Sequence, residues 1–320
     1  MTETIRGPVL VVGGGTMGAG IAACLAANGI DVVVWVRRQS AISALREETA
    51  HRIGRLKTLL GNAVHKAAGT LTVLSGELPG PFTLAVESVA EDLESKRSIL
   101  CRLDACVGEE GIIATNTSSL SLAALSHNLS KPGRFAAWHW FNPAELVRLV
   151  EVVAGPRTLP ATLERLEALS KQIGKQPIVL RREITGFVAN RLQYALLREA
   201  YALVGADICS VADIDHAVEA GLGARWAAIG PFVSMDAAGL DVHEAVTAQI
   251  FPQLSGATTV PQLLKEVRHR GAVGIAKRTH SWRGSNPPAA TDRTHFSPNR
   301  THSRPGSNPF LPRPGVDRGR

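Results

Sequence analysis

Residues 8–29 read PVLVVGGGTMGAGIAACLAANG: four apolar residues from Val9 to Val12, a glycine cluster, then an alanine-rich run ending at Gly29. Gly13, Gly15 and Gly18 form G-x-G-x-x-G, with Thr16 and Met17 filling the last spacing. The first glycine permits a tight turn, the second lets backbone approach a pyrophosphate, and the third lets helix and strand pack closely. A helix starting there presents free N–H groups and the positive end of its dipole to phosphates. The motif alone is weak. Set between a strand and a helix, it commits the chain to a nucleotide-binding βαβ start.

The following segments keep that alternation. Asp31 to Val36 (DVVVWV), Leu71 to Leu74, Phe82 to Val89 and Gly111 to Thr115 read as buried strands, and so do RFAAWHW, LVRLVEVV and QPIVL. Helical stretches run from about Ala41 to Lys66, Asp92 to Val107 and Leu159 to Ile173. Strands alternating with helices predict an α/β domain, a doubly wound Rossmann-type parallel sheet with helices on both faces. After Arg181 apolar residues recur only at helical spacing, as at Phe187, Leu192, Leu196 and Leu203. A smaller all-helical domain is therefore expected at 182–276, after a dinucleotide-binding domain at 1–181.

The net charge of +7 suggests nucleic acid until it is located. Residues 268–320 hold eleven Lys/Arg against two Asp/Glu, leaving residues 1–267 at −2. The basic excess belongs to a stretch rich in Pro, Ser, Thr and Gly, and 277–320 is expected to be a disordered tail. No specific nucleic-acid partner is implied for the folded part. No apolar run is long enough to span a bilayer and no signal peptide is evident, so a cytoplasmic protein is expected. The four cysteines lack metal-ligand spacing, and no metal is expected.

At the end of the second strand, about 20 residues beyond the glycines, a carboxylate would read the ribose of NAD. Val36 stands there, followed by Arg37 and Arg38. Paired guanidiniums suit the 2′-phosphate of NADP; the plainer reading is two solvated arginines beside bound NAD. NAD or NADP is expected, with NADP slightly favoured.

His139 lies inside an apolar run and Glu151 inside the next one, 12 residues later. Two adjacent strands would bring imidazole and carboxylate together, fixing the tautomer and raising the basicity of a general acid/base. A satisfied core histidine with an edge glutamate is the alternative.

Taken with VVGGGTMGAGIA, the segments ESVAEDLESK, NTSSL, WHWFNP, LVEVV and ITGFVANR resemble the 3-hydroxyacyl-CoA dehydrogenase family, including its 3-hydroxybutyryl-CoA and lambda-crystallin-like members. The resemblance runs from Val9 to about Ala276. It implies that His139 is the catalytic base and Glu151 its partner, with Ser118 and Asn190 completing the catalytic set. It also puts Glu91, Lys96, Asn116 and Asn142 on the nicotinamide side of the site. Removing a hydroxyl proton while hydride leaves the same carbon calls for such a base and for neutral donors to the oxygen. Ser118 also reads as a helix N-cap in TSSLSLAAL, and Asn190 as a polar surface residue.

The implied activity is hydride transfer between NAD(P) and the 3-hydroxy group of a short-chain 3-hydroxyacyl-CoA, by a homodimer. A free 3-hydroxy acid, a carrier-protein-bound hydroxyacyl group, and a catalytically idle lambda-crystallin-like protein are the alternatives. Two departures bear on this. GLGARWAAIGPF is bulkier than the family's usual approach to G-P-F, closer to lambda-crystallin and carnitine-type relatives, and the closing glycine-rich pattern is lost near Lys277. The second leaves open a different lineage or a shifted reading frame.

Overall fold

The computed structural model describes residues 7–60 and 68–270. The predicted tail at 277–320 and the last turn of the helix read to Lys66 lie outside the described residues. The order is β1 (Val9–Val12), α1 (Thr16–Ala27), β2 (Val32–Trp35), α2 (Ile42–Leu60), β3 (Leu71–Leu74), β4 (Phe82–Glu87), α3 (Leu93–Cys106) and β5 (Val107–Thr115). Then come α4 (Leu122–Ser126), β6 (Phe135–Trp140), β7 (Leu149–Ala154), α5 (Pro160–Gln172) and β8 (Gln176–Leu180). One sheet carries all eight strands in the order β3-β2-β1-β4-β5-β6-β7-β8.

Strands β1 to β6 pair in parallel, but β7 runs antiparallel to β6, and β8 is parallel to β7. The all-parallel expectation therefore fails at β7. Only residues 141–148 join β6 to β7, and a parallel return needs a crossover of about a dozen residues or more. The α5 segment supplies such a crossover between β7 and β8.

Alternation along the strands builds a core on each face. Val9 and Val11 join Ile21, Ala22 and Leu25 of α1, together with Trp138 and Trp140. Leu10 and Val12 join Ile99, Leu100 and Leu103 of α3 on the other face. Ten of the twelve residues of α1 are buried, and its Gly and Ala content lets it lie close to the strands. The strand order reverses between β1 and β4, so a crevice opens beyond their carboxyl ends, where ligands bind in such sheets.

The chain divides into two compact units between Leu197 and Arg198. The break falls inside α6 (Ala189–Gly205), beyond the boundary read after residue 181. The second unit continues with α7 (Val211–Ala217), α8 (Ala224–Ala228), α9 (Pro231–Ala238), α10 (Leu240–Ile250) and α11 (Gln262–His269). A capping box of Ser210 and Asp213 starts α7. A π-helical turn over Val218–Gly223 links it to α8. Among the described residues no strand follows β8.

Candidate active site

The glycine loop opens into the crevice. Gly13 has φ +117°, and a Cβ there would fall 2.3 Å from the Ser88 carbonyl oxygen at the end of β4. A Cβ on Gly18 would lie 1.9 Å from the Gly13 oxygen, so turn and helix approach too closely for any side chain. Gly15 has nothing within 4 Å of the same position. It caps α1 without a side-chain acceptor, and the hydrogen bond from Ala19 N to Gly15 O opens the helix. Thr16, Met17 and Gly18 begin a helix with no side-chain cap, so its first amides lack an intrahelical acceptor, which fits a dinucleotide's pyrophosphate. Val36 is buried and packs over Gly14. Arg37 and Arg38 are exposed, and neither pairs with a carboxylate among the described residues.

The antiparallel turn of β7 builds the second half of the site. It makes His139 and Glu151 direct cross-strand partners, with Nδ1 2.7 Å from Glu151 Oε2. The carboxylate is 0% exposed and the imidazole residue 4%. The other carboxylate oxygen accepts from the backbone N–H groups of Val188 and Ala189, both at 2.9 Å. Those amides begin α6, whose positive end favours an anion. Gly186 (φ +77°) and Phe187 (φ 48°) both adopt left-handed backbone on the approach to α6. For Phe187 this costs about 1–3 kcal/mol, so packing must hold it. Phe187 is buried, and its ring meets the imidazole edge-on with centroids 5.4 Å apart, while Phe141 does so at 4.5 Å.

Burial pushes the Glu151 carboxyl up, but the hydrogen bonds from His139, Ala189 and Val188 outweigh it and hold it below the usual carboxylate range. An ionised carboxylate only accepts, so His139 Nδ1 carries the proton toward it. Nε2, with no hydrogen bond among the described residues, is the nitrogen left to act on a ligand.

The β4 and β5 ends bring the remaining predicted residues together. Asn116 Oδ1 accepts from Trp140 N at 2.8 Å, tying the β5 end to the strand that carries His139. Its amide reaches Ser88 Oγ at 3.5 Å. Glu91 Oε1 receives the N–H of Ser118 (2.9 Å), the N–H and hydroxyl of Ser119 (both 3.1 Å) and the Thr117 hydroxyl (2.6 Å). Burial raises the Glu91 carboxyl, whereas the Thr117 hydroxyl, the Lys96 ammonium and the Ser118 amide bring it below its ordinary range. Lys96 is buried against Glu87.

Ser118 is not the helix cap that TSSLSLAAL suggests. Ser121 caps α4, its hydroxyl accepting from Ala124 N, because Glu183 fixes the helix start by accepting from Ser121 Oγ and Leu122 N. Ser118 instead donates its hydroxyl to Glu91 Oε1 at 3.4 Å. Asn142 is exposed, two residues past β6. Asn190 is half-buried in the first turn of α6, next to Ala189, and makes no hydrogen bond among the described residues. Glu87, Thr115 and Thr117, all fully buried, are not among the expected site residues, although Glu87 opens the ESVAEDLESK segment. The available signal was a carboxylate closing the apolar strand FTLAVE.

The Glu151 carboxyl is lowered on folding, so its contribution to stability is complete above the ordinary carboxylate pKa. That contribution is lost as pH falls through the lower folded value. Glu151→Gln is expected to flatten the pH dependence of stability below about pH 5. Urea unfolding across an acidic pH series checks this; an unchanged acid limb in the variant would contradict it.

Residues 8–184 match the family described as 3-hydroxyacyl-CoA dehydrogenase, NAD binding domain, and residues 186–281 its C-terminal domain. The chain is 33% identical over 270 residues to a 5-formyl-3-hydroxy-2-methylpyridine 4-carboxylate 5-dehydrogenase of Mesorhizobium japonicum, covering 83% of this chain and 87% of the relative. It is 39% identical over 233 residues to an L-carnitine dehydrogenase of Streptomyces griseus, covering 72% and 69%. A solved 5-formyl-3-hydroxy-2-methylpyridine 4-carboxylic acid 5-dehydrogenase, described as an NAD+-dependent dismutase, superposes with a TM-score of 0.82 at 32% identity. That match covers 87% of this chain and 91% of the solved one.

Proposed function

The chain belongs to the 3-hydroxyacyl-CoA dehydrogenase family, and we propose that it moves hydride between NAD(P) and the hydroxyl-bearing carbon of a small free acid. Family membership makes the chain an oxidoreductase acting on a hydroxyl group, with an NAD-binding domain. The choice of a free acid over a coenzyme A thioester is supported by two relatives whose names carry a pyridine carboxylate and carnitine, neither a coenzyme A ester. The thioester remains the second reading, favoured by the family's description. A carrier-bound acyl group has no observation of its own, and an idle scaffold protein would not need the buried dyad.

The observation that carries the reading is the 2.7 Å pair of His139 and Glu151, with Nε2 unengaged among the described residues. Bound nicotinamide supplies or accepts the hydride. His139 Nε2 takes the hydroxyl proton, and the resulting imidazolium is stabilised through Nδ1–H by Glu151, whose anion is held by the α6 amides. Ser118 and Asn190 donate to the substrate oxygen as it gains carbonyl character. In reduction the imidazolium returns the proton. Glu91, Lys96, Asn116 and Asn142 line the nicotinamide side.

We expect kcat/KM for a free hydroxy acid such as 3-hydroxybutyrate or L-carnitine to exceed that for 3-hydroxybutyryl-CoA by about ten-fold or more, a difference of ~1.4 kcal/mol. His139→Ala should lower turnover by about 10²–10⁴-fold. Faster turnover of the thioester would select the second reading, and near-native His139→Ala activity would remove the mechanism.

A modest NADP(H) preference is part of the same reading. Val36 removes the carboxylate that would repel a 2′-phosphate, and two exposed guanidiniums stand beside it without a carboxylate partner among the described residues. NADPH should bind about ten-fold more tightly than NADH, or ~1.4 kcal/mol, and Arg37→Ala with Arg38→Ala should erase the difference. Equal or tighter NADH binding to the unmutated chain, read by nicotinamide fluorescence, would show both arginines to be solvated.

A homodimer formed through the 182–276 region is supported by the large apolar side chains exposed in the second unit, among them Phe232 at 88%, Ile208, Leu240 and Phe251; light scattering reads it directly. Among the described residues no helix is long and apolar enough to cross a membrane, and a cytoplasmic location is part of the proposal.

A further inference from the structure

Glu87 is a fully buried carboxylate that the proposed chemistry does not use. It closes β4, beside Val12 of β1 and Thr115 of β5 in the sheet register. Lys96 Nζ donates to both of its oxygens, at 2.8 and 3.0 Å. Thr115 Oγ1 donates to it at 2.6 Å and the Val89 N–H at 2.7 Å. Replacing such a buried pair by packed apolar side chains is often neutral or stabilising. Stability alone therefore does not account for a carboxylate here, and its neighbours point to geometry instead.

Two separate routes lead from Glu87 to the turn that carries Ser118. The first runs through Lys96. Its ammonium lies 3.3 Å from Glu91 Oε2, while Glu91 Oε1 holds the Ser118 and Ser119 amides. Glu91 is thus stretched between a buried cation and the turn, one oxygen to each. The second runs through Thr115. Its hydroxyl gives its proton to Glu87 and accepts the Thr117 N–H at 3.3 Å. The Glu87 carbonyl adds a backbone tie, accepting from Asn116 N at 2.8 Å.

We propose that Glu87 is a positioning residue: by fixing the Lys96 ammonium and the Thr115 hydroxyl together, it sets where Glu91 grips the Thr117–Ser119 turn and so where Ser118 meets the substrate oxygen. Its catalytic consequence rests on the function proposed above; its structural consequence does not. In Glu87→Gln the amide NH₂ must face donors whichever way it is turned. Lys96 is then left with Glu91 as its one charged partner, and drawing Glu91 toward the ammonium loosens its hold on the Ser118 and Ser119 amides.

Hydrogen exchange on the full unliganded chain tests this. In Glu87→Gln the Ser118 and Ser119 amides should exchange about ten-fold faster or more, while the β6 and β7 amides keep their protection. Thr115→Val, which cuts only the second route, should produce a smaller acceleration centred on Thr117. With substrate, Glu87→Gln should lower kcat about ten-fold with KM for the hydroxy acid within about two-fold, a split that general loosening would not give. Unchanged exchange at Ser118 and Ser119, or protection lost evenly across the sheet, overturns the proposal. If Glu87→Gln does not fold, Thr115→Val decides: faster exchange at Thr117 supports the hub and unchanged exchange overturns it. A wild-type chain without dehydrogenase activity but with the predicted exchange pattern would remove the function and keep the hub.

Discussion

A carboxylate shut away from water stays ionised only when donors surround it, and Glu151 has three: the His139 ring and the amides of Val188 and Ala189. Satisfying them together constrains much of the first unit. β7 must run against β6 so that position 151 falls opposite 139. Gly186 and Phe187 must adopt left-handed backbone so that the Val188 and Ala189 amides aim at one oxygen. Once these conditions hold, the histidine tautomer is fixed and Nε2 is left over for chemistry. Removing the carboxylate's charge would leave the ring without the group that orients it, and the α6 amides without their anion.

The β4 end follows the same logic with a different outcome. There the buried carboxylate of Glu87 is matched by a buried ammonium, which also reaches Glu91, the carboxylate that holds the Ser118 amide. Close backbone approach does for the phosphate loop what hydrogen bonds do here. Gly13 and Gly18 touch carbonyl groups where no Cβ fits, whereas Gly15 faces open space. Asn116 links the β5 end to Trp140, the residue after His139.

Much of this was legible in the sequence because strands buried on both faces read as unbroken apolar runs, and a polar residue within one stands out. Val9–Val12, Leu71–Leu74 and the pairing of His139 with Glu151 were recovered that way. The direction of β7 was written in the eight residues from 141 to 148, a connection too short for a parallel return, but run patterns do not report direction. Glu87 opens the ESVAEDLESK segment, but its burial was not legible because a carboxylate at a strand end usually meets solvent. Its burial depends on Lys96, brought over it only when α3 docks. Ser118 and Ser121 both precede the same apolar run, and the choice of cap was made by Glu183, 62 residues beyond Ser121.

In the neutral ring His139 carries its proton on Nδ1, toward Glu151, and Nε2 is the nitrogen left without one. Nitrogen-15 NMR of the histidine-labelled chain, with the His139 signals identified by their loss in His139→Asn, reads this tautomer directly. A protonated Nδ1 whose proton is shifted far downfield by its carboxylate partner is expected, with Nε2 of the neutral ring at the chemical shift of an unprotonated nitrogen. A proton on Nε2 with Nδ1 bare would contradict it.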